Sequence, residues 1–324
     1  MTKSSIIKEF FLLIPLLFSA YAVAVNKALS SAVLDGVNLF IASIFPALFP
    51  YLFITAFLGN LSIIKKGTRL LSPLSNKIFR CKGIVFYAYF ISLLSGYPMG
   101  SKTVSDLRKA GLLTKSESVR ASCLCSTSSP MFLIGCVGNL MFNNPLFGVV
   151  LFITHLISSI VIGFVFSFYK EKEGEDSQFV LASEKASSDF FAVTVKNALS
   201  DILFVGAVIT LFYVITEALL EYNLLLPVIK GLNLVFNEET LSKGITFGLF
   251  ECTKGLKVLS LGEINLFTLP IVASITGFGG LSVIMQSLPF LKSAKIKIAP
   301  FLFSKLVAIV INFIFGLILS SLLF

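Results

Sequence analysis

The sequence predicts an all-α polytopic membrane protein built from two inverted repeats, each with a re-entrant hairpin. Three observations support this fold class. The 324 residues have a mean hydropathy of +0.93 and only 13% charged side chains, a composition foreign to soluble domains of this length. Long apolar segments alternate with short basic loops. Helix-breaking positions recur in the two halves of the chain at offsets of about 155 residues.

One hydrophilic stretch, KEKEGEDSQFVLASEKASSD, divides the chain and is too polar to enter a bilayer. It sets the predicted domain boundaries: an N-terminal transmembrane helix at 1–36, a first repeat at 37–169, a cytoplasmic linker at 170–189 and a second repeat at 190–324.

The first half begins with two predicted spans. Residues 8–25 are apolar and lack a small-residue cleavage site, so we interpret them as a membrane helix, kinked at Pro15, rather than a signal peptide. Residues 37–61 form the second span, bent by Pro46 and Pro50 because proline lacks a backbone donor.

The next apolar segment, 84–94, is too short to cross a membrane. It has 11 residues, whereas a span needs about 20. Gly96, Pro98 and Gly100 then break the helix, and Lys102 begins a polar return. These features predict a re-entrant hairpin over 84–107. Irregular backbone at membrane depth is tolerated where protein buries it or where it lines a wet cavity, so this hairpin is a candidate substrate site.

The remaining segments complete the two repeats. After a basic hinge with Arg108, Lys109, Lys115 and Arg120, the first half continues with a span at 118–143, interrupted at STSSP, and a plain span at 146–168. The second half has a long span at 190–220, an interfacial helix at 224–236, a second hairpin at 242–262, a span at 264–286 broken at TGFGG, and a final span at 299–322. Segments 40–61, 84–107, 118–143 and 146–168 thereby match 199–220, 242–262, 264–290 and 299–322.

The distribution of Lys and Arg predicts the orientation. With a cytoplasmic N-terminus and both hairpins returning to their own side, 20 of the 26 basic residues face inward, Lys305 included. Spans 40–61 and 199–220 then run in opposite directions. The first hairpin dips in from the cytoplasm and the second from outside. This inverted arrangement is typical of alternating-access transporters.

Polar side chains and glycines gather at the hairpins and at the two broken spans. Helix breaks present N–H groups that suit anionic or hydrogen-bonding ligands, although such residues can also serve close helix packing. The predicted substrate-binding residues are Ser95, Gly96, Tyr97, Pro98, Gly100, Ser101, Lys102, Ser126, Thr127, Ser128, Ser129, Glu251, Thr253, Lys254, Thr276, Gly277, Gly279, Gly280, Ser282 and Gln286.

Three of these residues are charged. Glu251 lies in the apolar run FGLFECT, where a carboxylate is costly, so it is expected to bind a coupling cation, carry a proton or pair with Lys254. Lys102 and Lys254 hold equivalent positions in the hairpins. Two cations near one cavity favour an anionic substrate, and the alternative is that both side chains extend to the membrane interface.

The other ionisable residues predict structural roles. We expect His155 to be a hydrogen-bonded core histidine, and Asp201 and Glu217 to be interfacial. The five cysteines have no CxxC spacing and are interpreted as reduced structural thiols. No metal-ligand cluster, nucleophile–base pair or phosphate loop is present, so we expect neither an enzyme nor a metal site. The net charge of +9 lies in loops and does not indicate nucleic-acid binding.

Five segments carry a family resemblance: LFPYLFITAFLGN, SGYPMGSKTVSDLRKAGLLT, STSSPMFLIGCVGNLMFNNPLFG, FGLFECTKGL and TGFGGLSVIMQS. Together they resemble the sporulation integral membrane protein YlbJ (SpoVV) family over nearly the whole chain from residue 35. Its members are paired nucleoside-recognition (Gate) domain proteins, related in hairpin layout to concentrative nucleoside transporters.

The resemblance implies a transporter of endospore-forming Firmicutes that passes dipicolinic acid, a small aromatic dianion, across the outer forespore membrane towards the spore. It implies that the hairpins and the SSP and GFGG breaks line the pocket. The sodium site of nucleoside transporters is not recognisable in this chain, so the coupling ion, proton or sodium, stays open. No other cofactor is implied.

Two alternatives remain. A nucleoside transporter would need hydrogen-bonding groups but not two cations, and it should survive neutralisation of Lys102 and Lys254. A non-transporting membrane scaffold for spore assembly would tolerate pocket substitutions such as Glu251→Gln or Ser128→Ala. Transport direction, energy source and oligomeric state, a homo-oligomer included, are not determined by the sequence.

Overall fold

The computed structural model describes residues 21–58, 70–170 and 190–321, together with Thr68. Every regular element in these ranges is a helix, which confirms the all-helical prediction. Most of the first predicted span, 8–25, lies outside the described residues. So do residues 171–189 of the linker and part of the first basic loop.

The first half contains α1 (Lys27–Leu39), a π-helical turn (Phe40–Ile44), α2 (Phe45–Leu58), α3 (Ser72–Ile78), α4 (Ile84–Ser95), α5 (Met99–Lys109), α6 (Lys115–Leu124), a π-helix (Met131–Met141) and α7 (Pro145–Phe166). The second half contains α8 (Phe190–Glu221), α9 (Leu226–Phe236), α10 (Glu239–Phe250), α11 (Cys252–Leu259), α12 (Thr268–Phe278), α13 (Gly280–Ser293) and α14 (Ile298–Ser320). These bounds follow the predicted segments closely.

Five helices of the described chain are long and apolar enough to cross a membrane, judged by length and composition. They are Lys27–Ile54, Pro145–Phe166, Phe191–Glu221, Thr268–Ser293 and Ile298–Ser320. Shorter apolar helices occur at Ile84–Ser95, Met131–Met141 and Leu226–Phe236. These lengths confirm a polytopic membrane protein and leave the re-entry of the hairpins and the inversion of the repeats as predictions.

The second span begins earlier than predicted. Its helix starts at Lys27 rather than residue 37, because the Asn26 side chain accepts the N–H groups of Ala28 and Leu29 and caps it there. A π-helical turn, Phe40–Ile44, lies where the bend is predicted and ends two residues before Pro46. A wider turn accommodates the hydrogen bond that proline cannot make.

The predicted basic hinge over 108–120 contains a helix of its own. Thr114 and Glu117 form a reciprocal capping box that starts α6 at Lys115. Glu117 also accepts the backbone N–H of Lys82 at 3.0 Å, which ties the start of the first hairpin to α6. The sequence S/T-x-x-E was present in TKSE, so this helix start was available to prediction.

Two helical hairpins flank the centre of the molecule. The legs α4 and α5 pack side by side, as do α10 and α11. Between them, α1 and α8 cross so closely that a Cβ added at Gly36 would lie 3.0 Å from the Cα of Thr210. The largest cluster of buried apolar residues spans both halves. It contains residues of the π-helical turn Phe40–Ile44, α8, the π-helix Met131–Met141 and α12.

Candidate functional site

The tips of both hairpins and the breaks of both interrupted spans meet at one central cavity. It encloses about 480 Å³ of atom-free space, including the opening at its mouth. The lining residues are Ile44, Leu48, Gly96, Tyr97, Ser128, Ser129, Phe132, Val205, Ile209, Glu251, Cys252, Thr253, Gly279, Val283 and Gln286. Eight of the predicted substrate-binding residues are among them: Gly96, Tyr97, Ser128, Ser129, Glu251, Thr253, Gly279 and Gln286.

The lining comes from matching places in the two halves. Ile44 and Leu48 of the first half stand opposite Val205 and Ile209 of the second, and 161 residues separate each pair in sequence. The hairpin tips and the helix breaks contribute in the same paired way. This correspondence supports an internal duplication, which remains a prediction. The apolar walls were missed at the sequence level because nothing distinguishes these residues from lipid-facing ones in the same spans.

The first hairpin packs closely against the first break, at a glycine of α5 and through a serine of α4. A Cβ added at Gly100 would lie 1.7 Å from the carbonyl oxygen of Cys125, so only glycine fits. The hydroxyl of Ser92 donates to that same carbonyl at 2.6 Å and lies 2.7 Å from the Thr127 hydroxyl. Ser92 is therefore a positioning residue that sequence reasoning missed, since one serine in an apolar helix gives no signal.

His155 holds the first break in place. Its Nε2 accepts the backbone N–H of Ser128 at 2.9 Å, and the ring is almost fully buried. The Ser129 hydroxyl accepts the N–H of Phe132 at 3.2 Å and so caps the π-helix that follows. This agrees with the expectation of a hydrogen-bonded core histidine and adds its partner, a backbone group of the cavity wall.

Glu251 forms the tip of the second hairpin. Its backbone is extended, and its buried carboxylate accepts the N–H of Lys254 at 2.7 Å and the hydroxyl of Thr253. The carboxylate thus caps α11, whose N-terminal N–H groups and dipole favour a negative charge. Among the alternatives, the ion pair between Glu251 and the Lys254 side chain is not formed, because the Lys254 ammonium pairs with Glu217.

Both hairpin lysines are paired with carboxylates of α8. Lys102 forms an ion pair with Asp201, and the Nζ of Lys254 lies 2.8 Å from Glu217 and 4.5 Å from the centre of the Tyr213 ring. Neither lysine lines the cavity. Asp201 and Glu217 are therefore the ion-pair partners of the hairpins, and their interfacial position stays a prediction. The two-cation argument for an anionic substrate fails in this arrangement because each positive charge is already balanced.

The first hairpin also reaches the second break. The Tyr97 hydroxyl lies 3.3 Å from the carbonyl oxygen of Thr276 and 3.2 Å from that of Gly277. The ammonium of Lys305 lies 4.0 Å from the centre of the Tyr97 ring and 3.4 Å from the same Gly277 oxygen. The orientation prediction places Lys305 among the cytoplasmic basic residues; the structure corrects this, because its side chain is buried between α14 and neighbouring helices.

The second break and the second hairpin touch directly. A Cβ added at Gly280 would lie 3.0 Å from the carbonyl oxygen of Gly248 and 3.1 Å from the N of Cys252. Gly280 also has φ +77°, and Gly279 has φ +81°. The remaining predicted residues lie behind the cavity wall: Ser95, Pro98, Gly100, Ser101, Ser126, Thr127, Thr276, Gly277, Gly280 and Ser282, with Lys102 and Lys254 in their ion pairs. The buried hydroxyls of Ser126 and Ser282 have no partner in the described part of the chain.

The cavity offers hydrogen-bonding groups on apolar walls. The lining combines the polar residues Tyr97, Ser128, Glu251, Thr253 and Gln286 with Ile, Leu, Val and Phe side chains. Within the described ranges, no lining residue is basic. No group of three His, Cys, Asp or Glu is placed there to hold a metal ion. Apolar walls with a few polar groups are typical of small-molecule sites.

Comparison with known proteins identifies a longer relative of this chain. No protein-family profile matches the chain, and no solved structure matches it. Over 325 aligned residues the chain is 26% identical to the sporulation integral membrane protein YlbJ of Bacillus subtilis (strain 168). The alignment covers 93% of this chain and 79% of that protein.

Proposed function

We propose that this chain, which belongs to the family of the sporulation integral membrane protein YlbJ, is a transporter that carries a small molecule across a membrane during sporulation. One observation carries the proposal: two hairpin tips and two helix breaks, drawn from both halves of the chain, line a single central cavity. Transporters place substrate sites between repeats, where discontinuous helices end. A scaffold has no need of a polar cavity at that place.

The mechanism follows from the symmetry of the contacts. Each hairpin is bound to α8 by one ion pair, Lys102 with Asp201 and Lys254 with Glu217. In the proposed cycle one hairpin moves while the other stays attached, so that the cavity opens to one side at a time. The N-terminus is cytoplasmic in this proposal, with the first hairpin accessible from the cytoplasm and the second from the opposite side.

The proposed substrate is dipicolinic acid, and the proposed location is the outer forespore membrane. The family resemblance supports both, and the name of the Bacillus subtilis relative supports a role in sporulation. Four helices, starting at Met99, Met131, Cys252 and Gly280, begin beside the cavity, and helix N-termini favour anions. The hydroxyl group of Ser128 is suited to donate to a carboxylate oxygen.

A nucleoside is the second candidate substrate. The lining favours it in one respect, since its described polar groups are neutral apart from the Glu251 carboxylate, and no lysine faces the cavity. A nucleoside offers a flat apolar base and a ribose with several hydroxyls, which Gln286 and Glu251 are suited to bind. Neutralising Lys102 and Lys254 no longer separates the two candidates, because those lysines hold the hairpins.

A binding panel with purified protein tests the proposal. Dipicolinate and a set of nucleosides are titrated against detergent-solubilised protein by calorimetry. Saturable dipicolinate binding that weakens at least tenfold in Ser128→Ala or Gln286→Ala, and is unchanged in the exposed control Lys292→Gln, supports the proposed substrate. Nucleoside binding with the same variant pattern assigns the second candidate. Absence of binding by both classes contradicts the transporter assignment.

A further inference from the structure

A lysine in the last span lies buried beside the site. The buried positions of α14 include Phe301, Ser304, Lys305, Ala308 and Asn312. They follow the spacing i, i+3, i+4, i+7 and i+11, which places them on one face of the helix. Lys305 stands in the middle of that face, about 10 Å from the start of the helix. Its side chain is 1% exposed, so it does not extend to the interface. An ionisable side chain at such a depth indicates function.

The surroundings of Lys305 provide little negative charge. Among the residues that the structure describes, no carboxylate lies within 4 Å of its ammonium. The titratable groups that face it are Tyr97 from the first hairpin, Cys123 from α6, His155 from α7 and Cys252 from α11. The helices α12 and α13 present no acidic residue to it. A buried ammonium without an anion is costly.

Two interactions remain for the ammonium, and both involve parts of the site. It contacts the carbonyl oxygen of Gly277 at 3.4 Å and lies over the ring of Tyr97. The Gly277 carbonyl belongs to the last turn of α12, where carbonyls lack partners within the helix. The Tyr97 hydroxyl bonds the same turn. Lys305 therefore fixes the tip of the first hairpin to the end of α12.

The end of α12 is also the kind of place where transporters bind a coupling cation. Carbonyl groups at the C-terminal ends of broken helices coordinate cations, and the helix dipole favours positive charge there. In this chain the ammonium group of Lys305 occupies that place. Loss of its proton would weaken both the bond to the Gly277 carbonyl and the contact with the Tyr97 ring, since both depend on the positive charge.

On the basis of the proposed transport function, we propose that Lys305 is the coupling residue, and that it takes up and releases one proton in each transport cycle in place of a sodium ion. In the charged state it holds the first hairpin to α12. When the proton leaves, the hairpin tip is freed and the site reopens. The proton is taken from one aqueous side and delivered to the other, so nothing is consumed besides the proton gradient.

The test uses full-length protein in liposomes loaded with buffer, with labelled dipicolinate and labelled nucleosides as probes and the membrane potential clamped. We expect a pH gradient to accelerate uptake at least fivefold, whereas a sodium gradient, with choline as the control ion, has no effect. The direction of the effective gradient distinguishes cotransport from exchange. Sodium-driven uptake would overturn the proposal.

Variants separate the coupling role from a structural one. Lys305→Arg stays charged and keeps the hairpin contact, so we expect binding within threefold of the wild type but no response to pH gradients. Tyr97→Phe keeps the aromatic ring beside Lys305 and removes only the hydroxyl. It tests whether the protein still folds when this contact is changed and the lysine is kept. Lys292→Arg, an exposed lysine at the end of α13, is the matched control and should behave as the wild type.

The outcomes are distinct. A pH response that persists in Lys305→Arg contradicts the coupling role of Lys305 while leaving transport intact. Uptake that ignores both gradients also contradicts it. Absence of uptake for every probe, with protein that elutes as a single folded species, contradicts the proposed transport function and with it the coupling role.

Discussion

The ammonium of Lys254 lies 2.8 Å from the carboxylate of Glu217, and this pair joins the second hairpin to α8. The first hairpin makes the corresponding pair through Lys102 and Asp201 on the same helix. The two acids are 16 residues apart, which is about 24 Å along a helix. One helix therefore holds both hairpins, at two positions about 24 Å apart.

We predict that Lys254→Met destabilises the protein by about 3 kcal/mol, because it leaves the carboxylate of Glu217 partly buried without a partner. Thermal unfolding in detergent measures the effect. The control is Lys243→Met, whose exposed pair with Glu239 should leave the melting temperature unchanged. The double variant Lys254→Met/Glu217→Gln should recover most of the loss. A double variant as unstable as the single one would show that packing of the lysine, rather than its charge, is what matters.

Gly100→Ala should abolish folding or shift the melting temperature down by more than 10 °C, since the new Cβ would overlap the Cys125 carbonyl. Expression and elution of the variant as a folded monodisperse species measure this. Gly231→Ala is the matched control, because a Cβ at that helical position meets nothing within 4 Å. It should be neutral or slightly stabilising. Normal folding of Gly100→Ala would refute the close approach of the first hairpin to the first break.

Substitutions of Glu251 should separate capping from transport. Glu251→Gln retains an oxygen that accepts from Thr253 and Lys254, so we expect near-native stability together with a change in transport. Glu251→Ala removes the cap and should destabilise the hairpin by about 1–2 kcal/mol. Melting temperature and uptake, measured side by side, test this. The exposed Glu263→Gln is the control. Equal loss of stability in both Glu251 variants would argue against the capping role.

The five cysteines should not react with polar maleimides in the folded protein. All five are buried, and burial raises the pKa of Cys81, in the loop before the first hairpin, to about 12, so its thiol stays protonated at neutral pH. A cysteine introduced at the exposed Lys230 is the control and should react readily. Labelling of any native cysteine before unfolding would contradict this burial.

Much of this fold could be predicted from the local sequence. The hairpin tips and both helix breaks were predicted because Gly and Pro interrupt helices locally, as at Gly96, Pro98 and Gly279. Eight of the predicted binding residues line the cavity, and most of them lie at these hairpin tips and breaks. The predicted helix boundary was wrong where a single capping residue determines it, as Asn26 does for the start of α1.

The partners of the charged residues could not be predicted. Lys305 resembles an interfacial lysine in sequence, and only the packing of α14 against α7 and α12 buries it next to Tyr97. Asp201 and Lys102 are separated by 99 residues, and no local pattern indicates that they meet. Such contacts depend on how the helices pack, which hydropathy alone does not specify.

The most direct test of the central claim is uptake of labelled dipicolinate into liposomes that contain the purified protein, compared with protein-free liposomes and with the Ser128→Ala and Gln286→Ala variants. We predict saturable uptake that unlabelled dipicolinate competes away and that falls at least tenfold in both variants, while Lys292→Gln is unaffected. Uptake equal to that of protein-free liposomes, or equal in the wild type and both cavity variants, would contradict transport through the central cavity.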